Sequence, residues 1–311
     1  MPSPAQDRSD PRAQRGDEAR ARGPAVGIIG VGAMGMAMAL NLRERGRTVC
    51  SRDVRPQADA EARAAGIVVC DSPRALAALT GIVFVVVVDA PQIDAVLFGA
   101  DGVVHARDGA RTVALCSTIA PPDSQRFAAR LAEHGIALID APISGGPARA
   151  RAGAISMMLA APAATLAPWQ ALLAELAAKR FVVGAAVGDA AKAKLVNNLL
   201  AGINLVAGAE ALALSAKLGL DPRATYELIR ASSGASWIFE DRMARALDED
   251  YTPARAAAHI LTKDLGLATA LAASVAHATP LGDAALARLR DTVARGWGEL
   301  DDAAVIRTYQ A

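Results

Sequence analysis

From residue 25 onward, apolar and polar positions come in blocks whose lengths alternate. Apolar runs at residues 25–29, 48–50, 67–69, 82–88, 112–116 and 136–139 have strand length. The run at 82–88 is unbroken and mostly valine, as a parallel strand covered on both faces requires. Helix-length segments lie between these runs. They are 36–45 closed by Gly46, 57–65 closed by Gly66, 73–79 opened by Asp71 or Ser72, and 122–134. A capping residue before and a glycine after are ordinary helix punctuation. This alternation predicts βαβ units and a parallel sheet. Past Asp140 the rhythm changes. Residues 141–147 read as a loop, 155–159 and 181–183 as further strands, and 168–179 as a helix between them. From Gly188 the pattern is helical, at 190–218, 222–231, 237–247, 260–277, 280–295 and 301–307.

The first βα turn carries Gly30-Val31-Gly32-Ala33-Met34-Gly35. Glycines at this spacing allow a tight turn and bring a pyrophosphate close to backbone N–H groups at a helix N-terminus. The fold class expected is therefore α/β, a Rossmann-like parallel-sheet domain at 24–186 followed by an all-helical domain at 187–311. Asp53 ends the second strand about 20 residues beyond the glycines, where a carboxylate meets the adenosine ribose of NAD. Arg52 and Arg55 flank it and suit the 2′-phosphate of NADP instead. Ser144-Gly145-Gly146 follows the 136–139 strand at the carboxyl end of the sheet. Successive N–H groups beside a hydroxyl make a nest suited to a carboxylate, or a simple turn.

On the long helix, read with Asp189 as its N-cap, Lys194 and Asn198 are four apart and share a face. Lys192 points elsewhere. A half-buried ammonium is costly without a partner or a task, and a desolvated lysine becomes a proton shuttle near neutral pH. The plain alternative is a lysine whose head reaches water. Basic residues are nearly all arginine, with lysine only at 179, 192, 194, 217 and 263. Arginine cannot do a titratable amine's work.

The 311 residues are 53% hydrophobic with a net charge of +1. That is ample for two cores and gives no reason to expect nucleic acid or a membrane surface as partner. Cys50, Cys70 and Cys116 read as small apolar residues in a reduced cytoplasm. His105, His134, His259 and His277 lack metal-ligand spacing, so no metal is expected. Residues 1–23 are polar and read as a disordered tail without a signal peptide. No apolar run looks long enough to span a membrane.

The glycine motif with Asn41-Leu42, the segment Asp140 to Gly146, residues 188–198 and Lys263-Asp264-Leu265 come in one order. Together they resemble the β-hydroxyacid dehydrogenase family, which includes 3-hydroxyisobutyrate dehydrogenase and tartronate semialdehyde reductase. The likeness covers about residues 25–307. Residues 85–98, 236–242 and 301–306 resemble its L-threonate-oxidising branch. The resemblance implies NAD-dependent oxidation of a small hydroxy acid, a homodimer or homotetramer, and a role for each matching residue. Lys194 would be the acid–base catalyst. Asn198 would hold substrate, with Asn197 as its substitute. Ser144, Gly145 and Gly146 would take the carboxylate. Gly30, Gly32, Ala33, Met34, Gly35 and Asp53 would bind the cofactor. Val88 and Asp89 would pass over it, Thr118 would place a hydroxyl near the nicotinamide, and Lys263 would close over it. The family usually has glycine where this chain has Ala190. Ser232, Ser233, Ser236 and Trp237 cluster before the 237–247 helix, where serines either bind substrate hydroxyls or cap the helix.

Overall fold

The computed structural model describes residues 25–310, so the polar stretch 1–23 lies outside the described residues. The central strand β1 (Val26–Ile29) pairs in parallel with β2 (Val49–Arg52) and β4 (Ile82–Val85). Outside these lie β3 (Val68–Val69), β5 (Thr112–Leu115) and β6 (Ala137–Asp140), giving the order β3-β2-β1-β4-β5-β6, all parallel. That is the strand order of dinucleotide-binding sheets, with its switch point between β1 and β4. Every residue of β1, β4 and β5 is buried, which explains runs that are apolar throughout rather than alternating. The crossover helices α1 (Ala33–Glu44), α2 (Pro56–Ala64), α3 (Pro73–Leu79), α4 (Ala90–Phe98) and α5 (Pro121–Ala132) connect the strands. Ser72 caps α3 by accepting from the Ala75 N–H at 3.1 Å.

Three local expectations change. The strand expected at 82–88 ends at Val85. Beyond it the Val87 N–H turns to the Ser117 hydroxyl at 3.2 Å, and Val86, Val87 and Val88 line a cleft instead. Residues 141–147 are not wholly loop. They hold β7 (Ile143–Ser144) and open α6 (Gly146–Arg151), because β8 (Ser156–Ala160) supplies an antiparallel partner, Ile143 opposite Met157. After α7 (Ala163–Leu166), the helix expected at 168–179 starts as a 3₁₀ turn at Ala167–Trp169 and ends early as α8 (Gln170–Leu176). Pro168 sits in that turn and has no N–H for a continuous helix. Lys179 instead opens β9 (Lys179–Gly184), which pairs with β8.

The second half is built round α9 (Asp189–Lys217), 29 residues long. It packs against α10 (Pro222–Arg230), α11 (Trp237–Leu247), α12 (Ala258–Ser274), α13 (Pro280–Thr292) and the 3₁₀ segment Asp302–Tyr309. Leu205, Leu212, Met243, Leu265 and Val305 form its core. By length and composition α9 could cross a membrane, which the expectation from the sequence overlooked. Its Lys194 and Asn198 are buried against the rest of the protein.

The N-terminus of α9 also differs from expectation. Asp189 is the first helical residue and pairs with Lys192 at 2.9 Å. The cap residue is Gly188 at φ +102°, and the carboxylate comes from Asp140, at the end of β6. Its Oδ2 accepts from the N–H groups of Gly188 at 2.8 Å and Ala191 at 3.1 Å. A strand of the sheet thereby caps the central helix. Ala190, where the family favours glycine, packs its methyl against Met158 and Ala160.

Candidate active site

The turn from β1 into α1 is built for close approach. A Cβ on Gly30, at φ +91°, would lie 2.4 Å from the Val86 carbonyl oxygen. One on Gly35 would lie 1.9 Å from the Gly30 carbonyl oxygen. Gly32 is different, since a Cβ there would meet only the Arg55 guanidinium, at 3.4 Å. That open space faces the N-terminus of α1, which no side chain caps. The first N–H groups of a helix have no partner within it. Here they are a ready anion site, in a cleft lined by Gly32, Ala33, Met34 and Gly35. A dinucleotide fits these residues. Asp53, at the end of β2, is buried and accepts from the Arg55 backbone N–H and Nε at 2.9 and 3.0 Å. Burial works to raise its pKa, but the bonds from Arg55 outweigh this and hold the carboxyl below its usual value. Arg52 is engaged with Asp59 at 2.5 Å. Both arginines that could meet a 2′-phosphate therefore already face carboxylates.

The cleft, about 490 Å³, runs on to the face of α9. Lys194 and Asn198 both line it, and are 7% and 6% exposed. Among the described residues the Lys194 ammonium has no hydrogen-bond partner. Burial lowers its pKa, the Asp264 carboxylate partly restores it, and the Lys263 ammonium lowers it again. Asn198 Nδ2 donates to Asp264 Oδ2 at 2.8 Å. Its Oδ1 accepts from Asn197 Nδ2 at 3.1 Å, so Asn197 supports Asn198 rather than replacing it. Lys263 Nζ donates to Asp264 Oδ1 at 2.6 Å and to the Thr118 carbonyl at 2.8 Å. The second bond spans from the helical half to the loop after β5.

Sequence reasoning gave Asp264 no role, although the carboxylate joins Asn198 and Lys263 and biases Lys194. Its only signal was its place beside Lys263 in a motif. Val88 and Thr118 line the cleft. Asp89 is not among the cleft-lining residues. It is the N-cap of α4, accepting from the Gln92 N–H at 2.9 Å.

Ser144, Gly145 and Gly146 line the far side of the cleft. Gly145 and Gly146 have φ of +133° and +76°, a pair that side chains resist. Ser236, Trp237, Arg242, Arg255 and Asp302 line the same cleft. Ser236 caps α11, accepting from the Phe239 N–H at 3.1 Å. Ser232 and Ser233 are exposed and are not among the cleft-lining residues. The three cysteines are buried free thiols, and burial pushes Cys50 up to about 11 and Cys116 up to about 12.

Comparisons with known proteins place the chain in a family. Residues 25–184 match the family model of the NAD-binding domain of 6-phosphogluconate dehydrogenase. Residues 188–309 match the NAD-binding region of NADP-dependent 3-hydroxyisobutyrate dehydrogenase. An L-threonate dehydrogenase of Cupriavidus necator is 40% identical over 284 residues, covering 91% of this chain and 95% of that protein. One of Pectobacterium atrosepticum is 36% identical, covering 92% and 94%. The crystal structure of a 3-hydroxyisobutyrate dehydrogenase from Salmonella typhimurium superposes with a TM-score of 0.85 at 35% identity, covering 91% of this chain and 99% of that one. The chain belongs to this 3-hydroxyisobutyrate dehydrogenase-like family of β-hydroxyacid dehydrogenases and is an NAD(P)-dependent hydroxyacid dehydrogenase.

Proposed function

We propose that this enzyme oxidises L-threonate at its 2-hydroxyl to the 2-oxo acid, with Lys194 as general base and NAD as the preferred cofactor. One observation carries the chemistry. Lys194 is a buried ammonium without a hydrogen-bond partner among the described residues, in a cleft that begins at an uncapped helix N-terminus. The bound nicotinamide would supply the hydride acceptor. The N–H groups of Ala33, Met34 and Gly35 would hold the pyrophosphate and Asp53 the ribose. Val88 and Thr118 would flank the nicotinamide end, with Lys263 above it. The carboxylate loop Ser144, Gly145 and Gly146 would orient the acid. Lys194, whose pKa burial lowers, takes the hydroxyl proton in its neutral form as oxidation proceeds, and in reverse returns it. Asn198, fixed by Asp264 and Asn197, positions the hydroxyl against Lys194.

The NAD preference rests on Asp53. A 2′-phosphate there would meet like charge, and recruiting Arg55 would mean breaking its bonds to Asp53. The threonate assignment is supported by the two relatives of that activity, which align along nearly the whole chain. The proposed division is a cofactor domain at 24–186 and a substrate and oligomer domain at 187–311. A cytoplasmic homodimer or homotetramer is the assembly proposed. Relative kcat/KM for L-threonate, D-threonate, glycerate and 3-hydroxyisobutyrate with NAD tests the assignment. L-threonate should lead. A lead of about tenfold, roughly 1.4 kcal/mol, by 3-hydroxyisobutyrate or glycerate would refute it.

A further inference from the structure

In the same cleft as the carboxylate loop lies an ion pair with two unused positions. Arg242, on α11, is 8% exposed, and Asp302, opening the last 3₁₀ segment, is 2% exposed. Arg242 Nε donates to Asp302 Oδ1 at 2.6 Å, and its Nη1 donates to Asp241. These bonds engage two of the three guanidinium nitrogens and one carboxylate oxygen. Among the described residues neither Arg242 Nη2 nor Asp302 Oδ2 has a hydrogen-bond partner, yet both residues line the cleft. Neither atom is sealed from solvent, since the described buried polar atoms without a partner are Ser51 Oγ and Ser124 Oγ, so a ligand hydroxyl would take the place of cleft water there. A second pair, Arg245 with Asp301 and Asp241, packs beside the first and holds it in place.

We propose that the Arg242–Asp302 pair reads the hydroxyl groups on the end of the substrate remote from its carboxylate. The pair offers that end one donor and one acceptor. A hydroxyl is both, and a methyl is neither. The Trp237 ring lies 4.9 Å from the Arg149 guanidinium carbon and 5.8 Å from that of Arg242. Arg149 is on α6, the helix that opens at Gly146. One indole thus contacts both Arg149 and Arg242. A polyhydroxylated acid satisfies both unused positions, whereas 3-hydroxyisobutyrate has no hydroxyl beyond the one that is oxidised. Sites built to bond a hydroxyl reject analogues lacking it.

This inference rests on the dehydrogenase reading above and names how that site selects its substrate. The test is the ratio of kcat/KM for L-threonate to that for 3-hydroxyisobutyrate with NAD, in wild type, Asp302→Asn and Arg242→Lys. Asp302→Asn can keep an acceptor for Arg242 while replacing the free acceptor with a donor. Arg242→Lys keeps the charge and removes the fork. Both variants should lower the ratio by roughly tenfold or more, the worth of one hydrogen bond to a charged group. Thermal melting shows that each variant is folded, and the ratio cancels any loss common to both substrates. A wild-type ratio well above one that stays unchanged in both variants overturns the inference and leaves the threonate reading standing. An equal loss on both substrates means that the pair only supports the fold or holds the carboxylate, and also overturns it. A wild-type ratio near or below one overturns the threonate reading and the inference together.

Discussion

At Lys194 burial and charge pull against each other. The ammonium is desolvated, and burial lowers its pKa while Asp264 opposes the change. Two outcomes follow. The folded protein holds this proton less tightly than the unfolded chain, so Lys194 costs stability below its folded pKa. The cost fades as pH rises towards the ordinary lysine value of about 10.4. Lys194→Met should therefore melt higher near neutral pH, by on the order of 1 kcal/mol or about 2–4 °C, and the advantage should shrink at alkaline pH. Calorimetry across pH would show an unchanged or lower melting temperature if the lysine were stabilising. In the oxidative direction the base must be neutral, so kcat/KM should rise with pH along a limb below about 10.4. Asp264→Asn removes the carboxylate that raises the Lys194 pKa, so the limb should move to lower pH. A limb that moves up or stays put in pH–rate profiles would separate Asp264 from Lys194. The sequence made Lys194 and Asn198 legible because their spacing is local. Asp264 was not, because its bond to Asn198 crosses 66 residues.

The elements were legible where one segment carries its own reason. Gly30, Gly32 and Gly35 announced the β1–α1 turn, and the structure separates their tasks. Gly35→Ala would drive a methyl into the Gly30 carbonyl, 1.9 Å away, while Gly32→Ala meets only the end of Arg55. Gly32→Ala should fold with a melting temperature near wild type and bind NAD at least tenfold more weakly, and Gly35→Ala should be markedly destabilised. Calorimetry and cofactor titration decide, and equal stability of the two variants would contradict this assignment. The start of α9 was misread because its cap is remote. Local rules look for the capping carboxylate beside the helix and found Asp189, whereas Asp140 comes from β6, 48 residues earlier. Asp140→Ala should cost about 1–2 kcal/mol in urea unfolding, and a loss below about 0.5 kcal/mol would show that water replaces the carboxylate. The valine run past β4 misled for a similar reason. Its last three residues stay apolar because they line the cleft, which is a tertiary fact.

At the scale of the molecule, each half holds only part of the site. The sheet half lines the cleft with the α1 N-terminus and the Ser144–Gly146 loop, and the helical half lines it with Lys194, Asn198 and Asp264. Asp140 and the Lys263–Thr118 bond tie the two halves at the cleft. That strand–helix repetition is followed by helices was readable from hydrophobic period alone. How the halves meet was not, because contacts between them leave no period in the sequence. The central claim is that Lys194 moves the substrate proton during NAD-dependent oxidation of a short hydroxy acid. The most direct measurement is steady-state NADH formation from L-threonate by wild type and Lys194→Met, with NAD affinity of both proteins measured by titration. The mutant should lose about 10²–10⁴ in kcat, the usual worth of a general acid–base group, while NAD affinity stays within about threefold. A mutant that turns over within a few-fold of wild type would contradict the claim.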